Sequence, residues 1–112
     1  MLYIVRHGET DWNVKELLQG HADIPLNKFG EEQAKQLAKK LTKVNFAIAF
    51  TSDLLRAKKT AEIIALEKKI VVRTTKTLRE RYFGHFEGTK WREDKYYQQL
   101  IKNFLKLSYK ER

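Results

Sequence analysis

The chain has 112 residues, 42 % of them hydrophobic, and its 23 Lys and Arg outnumber 14 Asp and Glu to leave a formal charge of +9. That length gives room for one domain, residues 1–112, with a modest core. The lack of cysteine excludes disulfides and thiolate metal sites and fits a reducing, cytoplasmic location. No apolar run approaches membrane-spanning length or has the basic lead of a signal peptide. The positive balance favours anionic partners, either phosphorylated small molecules or nucleic acid, although a lysine-rich solvated surface produces the same balance.

Residues 2–5, Leu-Tyr-Ile-Val, form an unbroken apolar run rich in β-formers, the pattern of a strand buried on both faces. Arg6, His7 and Gly8 follow at once, so a cation and an imidazole are expected at the carboxyl end of that strand, where open α/β sheets place ligands. The polar stretch from Glu9 to Pro25 reads as loop, with a short helical turn near residues 14–18 and Trp12 packing down onto the sheet. Asn27 is a candidate N-cap. Behind it Ala34, Leu37, Ala38 and Leu41 keep helical spacing, while Lys35, Lys39, Lys40 and Lys43 fall on a solvated side. Gly30 in the first turn costs helix stability and therefore implies close packing against another backbone.

Residues 46–51 alternate large and small as a second strand. A helix follows directly, capped by Ser52 or Asp53, with Leu54, Ala57, Ala61 and Ile64 as its expected buried face. Arg56 falls in its first turn, where a cation opposes the helix dipole. A residue that breaks a local rule invites a functional reading, and a helix N-terminus with an arginine beside it would attract an anion. Residues 70–73 form a third, short strand. A charged loop with Gly84 and Gly88 then leads to a last helix over roughly residues 90–107, with Tyr97, Leu100, Ile101, Phe104 and Leu105 on one side. Strand, helix, strand, helix, strand is the order of parallel α/β layers.

Four segments carry the chemistry: Arg6-His7-Gly8-Glu9-Thr10, then Gln19-Gly20 with Pro25-Leu26, then Ser52-Asp53-Leu54-Leu55-Arg56-Ala57, then Leu78-Arg79-Glu80-Arg81 with Gly84, Glu87 and Gly88. In this order they resemble the histidine phosphatase superfamily, also called phosphoglycerate mutase-like, whose signature is RHGxT at the end of the first strand. Trp12-Asn13, the Gly30/Gln33/Ala34 spacing and Thr60-Ala61 match further positions, and the resemblance covers about residues 3–91. It implies a three-layer α/β/α fold with a mostly parallel sheet. It implies that His7 is the nucleophile that becomes a phosphohistidine. Arg6 and Arg56 would then clamp the phosphoryl oxygens, Glu80 would donate a proton to the leaving group, and Asn13, Gln19 and Gly20 would be secondary phosphate contacts. The family has a second active-site histidine on a strand in its C-terminal half. Neither His21, a loop or rim residue, nor His85, beside the expected substrate mouth, matches that position, so the chain is expected to hold the N-terminal half to two-thirds of such a domain.

The residue types agree with that chemistry on their own terms. A phosphate monoester repels nucleophiles until fixed cations offset its charge, and guanidinium groups bond its oxygens in pairs. Imidazole attacks only when neutral, and neighbouring arginines disfavour its protonated form. A general acid must hold a proton, which a dianionic substrate beside it favours. The scheme requires no metal and no cofactor. Phosphatase action on a small phosphorylated metabolite such as a sugar phosphate is the first expectation, and the stretch from Leu78 to Gly88 resembles the broad phosphatase branch more than the glycolytic mutase branch. Mutase chemistry comes second. A basic binding module with Lys, Tyr and Trp interleaved over residues 91–109 is a weaker reading, because those aromatics also fit helix-core spacing. A metal site on His7, Glu9, His21 and Asp23 lacks ligand spacing. An uncovered sheet edge and last-helix face make self-association an expectation.

Overall fold

The computed structural model describes residues 1–66 and 68–106. Thr10 is the N-cap of the first helix, α1 (Asp11–Val14): its hydroxyl accepts the Asn13 N–H while the Asn13 side chain accepts the Thr10 N–H. This reciprocal box satisfies two donors that a helix start otherwise leaves unpaired. The turn therefore sits ahead of the expected residues 14–18, because the capping pair lies at Thr10 and Asn13. Trp12 is half-buried, and its ring faces Gly88, at 3.3 Å from where a Cβ there would stand.

Asn27 caps α2 (Lys28–Lys40) as expected, accepting the Gly30 N–H at 2.7 Å. Ala34 and Ala38 are buried on its inner face, with Leu37 and Leu41 half-buried. The cost of Gly30 has a visible cause. A Cβ on Gly30 would overlap the Glu9 backbone, and one on Gly8 would overlap the Gly30 carbonyl. Helix α2 thus presses directly on the segment that carries His7.

Strands β1 (Ile48–Thr51) and β2 (Val71–Thr74) pair in parallel, with Ile48 opposite Val71 and Thr51 opposite Thr74. Helix α3 (Leu55–Leu66) connects them and packs on α2 and on both strands. This is the α/β class expected; β1 starts two residues later than the apolar pattern suggested and ends where expected, and β2 is shifted one residue later. The buried line expected here is met only in part: Leu54, just before α3, is buried as expected, but the helix itself turns a different side inward. Arg56, Thr60 and Ala65 are buried, whereas Ala57, Ala61 and Ile64 are half-buried. The inward side of its first two turns is polar because Arg56 and Thr60 face hydrogen-bonded loop backbone rather than an apolar wall.

Residues 1–9 contain no strand, and residues 1–6 are exposed, with Leu2 at 83 % and Ile4 at 88 %. The expectation of a first strand buried on both faces fails here. Such a strand needs ladder partners, and the described sheet consists of β1 and β2 alone. Tyr3 nevertheless meets the Phe46 ring edge-on, with centroids 5.2 Å apart, so the segment runs beside the entry to β1.

After β2 come two single 3-10 turns, Lys76–Leu78 and Gly84–Phe86, and then α4 (Lys95–Lys106). The last helix starts about five residues later than expected, since residues 91–93 form a turn. Tyr97 is buried among Phe83, Phe86 and Trp91, while Leu100 is exposed and Ile101 half-buried. The expected contacts of the Phe104 and Leu105 side chains, and residues 107–112 with the end of the basic aromatic stretch, lie outside what is described.

Candidate active site

His7 stands at the end of the N-terminal segment, half-buried. Its Nδ1 lies 2.6 Å from the Gly8 carbonyl oxygen. A carbonyl only accepts, so Nδ1 carries the proton and Nε2 holds the free lone pair. Gly8 is fixed in turn, its N–H donating to the Thr60 hydroxyl at 3.0 Å. Burial lowers the His7 pKa below its ordinary value, the Gly8 hydrogen bond opposes this, Arg56 and Arg6 lower it further, and Glu80 raises it. The arginines act in the expected direction, but burial is the larger cause.

Arg56 is only 2 % exposed. Its guanidinium donates to the carbonyl oxygens of Gly20 at 2.6 Å and Ala22 at 2.7 Å. Burial lowers its pKa, and Glu80, Asp23 and Glu87 raise it. The N-terminus of α3 attracts an anion, as the dipole argument required, but here the anion is internal: Asp23 Oδ1 accepts the Leu55 N–H at 2.7 Å. Gly20 contributes its carbonyl and a left-handed backbone, φ +54°, where a Cβ would overlap the Glu87 carboxylate.

Gln19 and Asn13 meet at Thr10. The fully buried Thr10 hydroxyl donates to Gln19 Oε1 at 2.7 Å, beside the Asn13 side chain. Arg6 is exposed and acts on His7 through its charge. Glu80 is exposed, its Oε1 accepting the neighbouring Arg81 N–H at 2.7 Å. The fold thus brings Arg6, Arg56 and Glu80 within electrostatic reach of His7, and Glu80 within reach of Arg56. Asn13, Gln19 and Gly20 serve the surrounding loops.

Sequence reasoning gave Thr60, Arg79 and Glu87 no function beyond matching the resemblance, weighed Asp23 only for a metal site and Asp53 only as a helix cap, and did not pair Asp53 with Arg79. Thr60 follows Arg56 by four residues and so shares its helix face, a signal that was available. Glu87 Oε2 accepts the N–H groups of His21 at 2.7 Å and Phe83 at 3.2 Å, tying two loops together. His21 Nε2 meets the Glu80 carbonyl oxygen at 2.8 Å, so this histidine anchors a loop. His85 is exposed and lies against the Phe86 ring. Among the described residues no group of three His, Asp or Glu could hold a metal, and no helix is long and apolar enough to cross a membrane.

The family model for the histidine phosphatase superfamily (branch 1) matches residues 2–112. The chain belongs to that superfamily. It is 43 % identical over 94 residues to phosphoglycerate mutase-like protein 4 of Arabidopsis thaliana, covering 82 % of this chain and 41 % of that one. Among solved structures it resembles YhfR of Bacillus stearothermophilus, with a TM-score of 0.79 at 36 % identity over 90 % of this chain and 50 % of the other. It also resembles a phosphoserine phosphatase of Entamoeba histolytica solved with 3-phosphoglyceric acid, with a TM-score of 0.75 at 35 % identity over 87 % and 49 %. The fold is the phosphoglycerate mutase-like α/β fold. The chain spans about half the length of the relatives it matches.

Proposed function

We propose that this protein, in its whole form, hydrolyses phosphate monoesters of small metabolites such as sugar phosphates through a phosphohistidine on His7. The observation that carries this reading is the state of His7. Burial and two arginines favour its neutral form, and its Nδ1 is occupied by the Gly8 carbonyl, which leaves Nε2 as the attacking atom. Arg6 and Arg56 would offset the phosphoryl charge, Glu80 would protonate the departing oxygen, and water would then release phosphate from the imidazole. Asn13, Gln19 and Gly20 would border the phosphate from the loop they build. A substrate of this kind and the lack of cysteine would fit a cytoplasmic location. Transfer to a second hydroxyl, as in a mutase, is the second reading, favoured by the mutase-like relative.

Brief incubation of the full-length protein with a radiolabelled phosphate monoester tests the intermediate. The expected product is an acid-labile, base-stable phosphoenzyme that His7→Ala abolishes. Label retained in His7→Ala would overturn the assignment. Appearance of an isomeric phosphate ester faster than inorganic phosphate would favour the mutase reading.

A further inference from the structure

Glu80 lies in a stretch, residues 79–83, without helix or strand. Its carboxylate accepts the next residue's N–H, a local bond that does not by itself fix where the group points relative to His7. The residue before it is held differently. Arg79 Nε and one terminal nitrogen donate to the two oxygens of Asp53, each at 2.6 Å. This fork-to-fork geometry fixes both distance and plane, which a single contact does not. Asp53 follows β1 by two residues and precedes Arg56 by three, so it stands on the turn that also sets the buried guanidinium.

We propose that the Asp53–Arg79 pair is a positioning device for Glu80, which locks the acid's segment to the turn carrying the phosphate clamp. The proposal rests on the reading of Glu80 as proton donor. Two anchors then flank that residue: Arg79 on Asp53, and the Glu80 carbonyl on His21. The pair sits partly exposed, with 28 % and 29 % of each side chain accessible, so its value lies in orientation more than in stability. The same bond holds the Asp53 carboxyl below its usual range and raises Arg79, which keeps both partners charged across the working pH range.

The test uses the full-length protein with Asp53→Ala, Asp53→Glu and Glu80→Gln, assayed on a simple alkyl phosphate and on nitrophenyl phosphate. A misplaced acid matters for an alkoxide and hardly at all for nitrophenolate. Asp53→Ala should therefore lower kcat on the alkyl ester about 10- to 100-fold, leave KM within about twofold and change nitrophenyl phosphate turnover less than about threefold. Asp53→Glu should recover part of the loss, and Asp53→Ala should add nothing to Glu80→Gln. Equal losses on both esters, or full additivity with Glu80→Gln, would overturn the proposal. Amide exchange gives a readout independent of activity: the Arg81 N–H should exchange at least about tenfold faster in Asp53→Ala, with α3 amides unchanged. Unchanged exchange at Arg81 would also overturn it. Wild type inactive on both esters, with accelerated Arg81 exchange in the variant, would instead sink the phosphatase reading and leave the strap standing.

Discussion

The Thr60 hydroxyl accepts the Gly8 N–H at 3.0 Å across 52 residues of sequence, and the same hydroxyl donates to the Arg56 carbonyl oxygen at 2.7 Å. One buried oxygen therefore joins the backbone beside His7 to the helix that carries Arg56. Thr60→Val keeps the shape and removes both bonds. An unpaired buried donor costs about 1–3 kcal/mol, so the unfolding midpoint should fall accordingly, and turnover should fall with it as His7 loosens. Thr60→Ser should be close to wild type. Denaturant unfolding of the two variants separates the hydroxyl from the methyl group.

Gly30→Ala places a Cβ into the Glu9 backbone, where no flexible side chain can yield. In an ordinary exposed helix this change would stabilise by up to about 1 kcal/mol. Here overpacking should destabilise by about 1–3 kcal/mol. A thermal scan that shows stabilisation would contradict the close approach of α2 to the His7 segment.

The lowered His7 pKa has a definite sign. In the unfolded chain the imidazole titrates near 6.5, so on acidification the unfolded chain takes up the proton first. Its contribution to stability is full above that value and is lost as pH falls towards the lowered folded pKa. Replacing His7 with Asn should flatten the stability curve in that window. Arg56→Met removes one of the lowering influences, so the His7 titration followed by NMR should move up.

Glu80→Gln should depress turnover in a leaving-group-dependent way, by about 10²-fold or more on sugar or alkyl phosphates and little on nitrophenyl phosphate. Equal losses on both would remove Glu80 from the acid role and direct attention to its charge alone.

Ile48 and Val71 stand side by side on the sheet, exposed together with Phe50, Leu2 and Ile4. Apolar surface of this kind, beside strand edges with open hydrogen-bonding groups, promotes association. The 112-residue polypeptide by itself should sediment as dimers or larger species even in dilute solution. A monodisperse monomer with a cooperative melt would show that this face is stable in water.

Local patterns made much of the chain legible. Asn27 and the 3.6-residue spacing behind it specify α2 through contacts within a few residues, and the β-branched and aromatic alternation locates β1 and β2 to within two positions. Arg6-His7 at the end of an apolar run and the arginine that opposes the α3 dipole drew attention by placing polar chemistry beside apolar elements, whereas Leu78-Arg79-Glu80 was marked by the family resemblance alone. Other features depend on residues far apart in the chain. The apolar run over residues 2–5 has the composition of a central strand, yet a strand exists only when partners supply its ladder, and composition does not report them. The inward side of α3 turned out to be Arg56 and Thr60, since the carbonyl oxygens that receive the guanidinium come from a loop more than thirty positions earlier. Burial outweighs the two arginines in shifting His7 because desolvation depends on how closely α2 and α3 enclose it. The Asp53–Arg79 fork spans 26 residues and takes effect only once β2 has delivered its loop to the α3 turn. The sequence by itself determined the short helical and strand segments and the run of motifs that marks the family, because those follow from local periodicity and from residue types close together in the chain. Tertiary structure alone decided what those residues face, because hydrogen-bond partners and desolvation are set by contacts between distant segments.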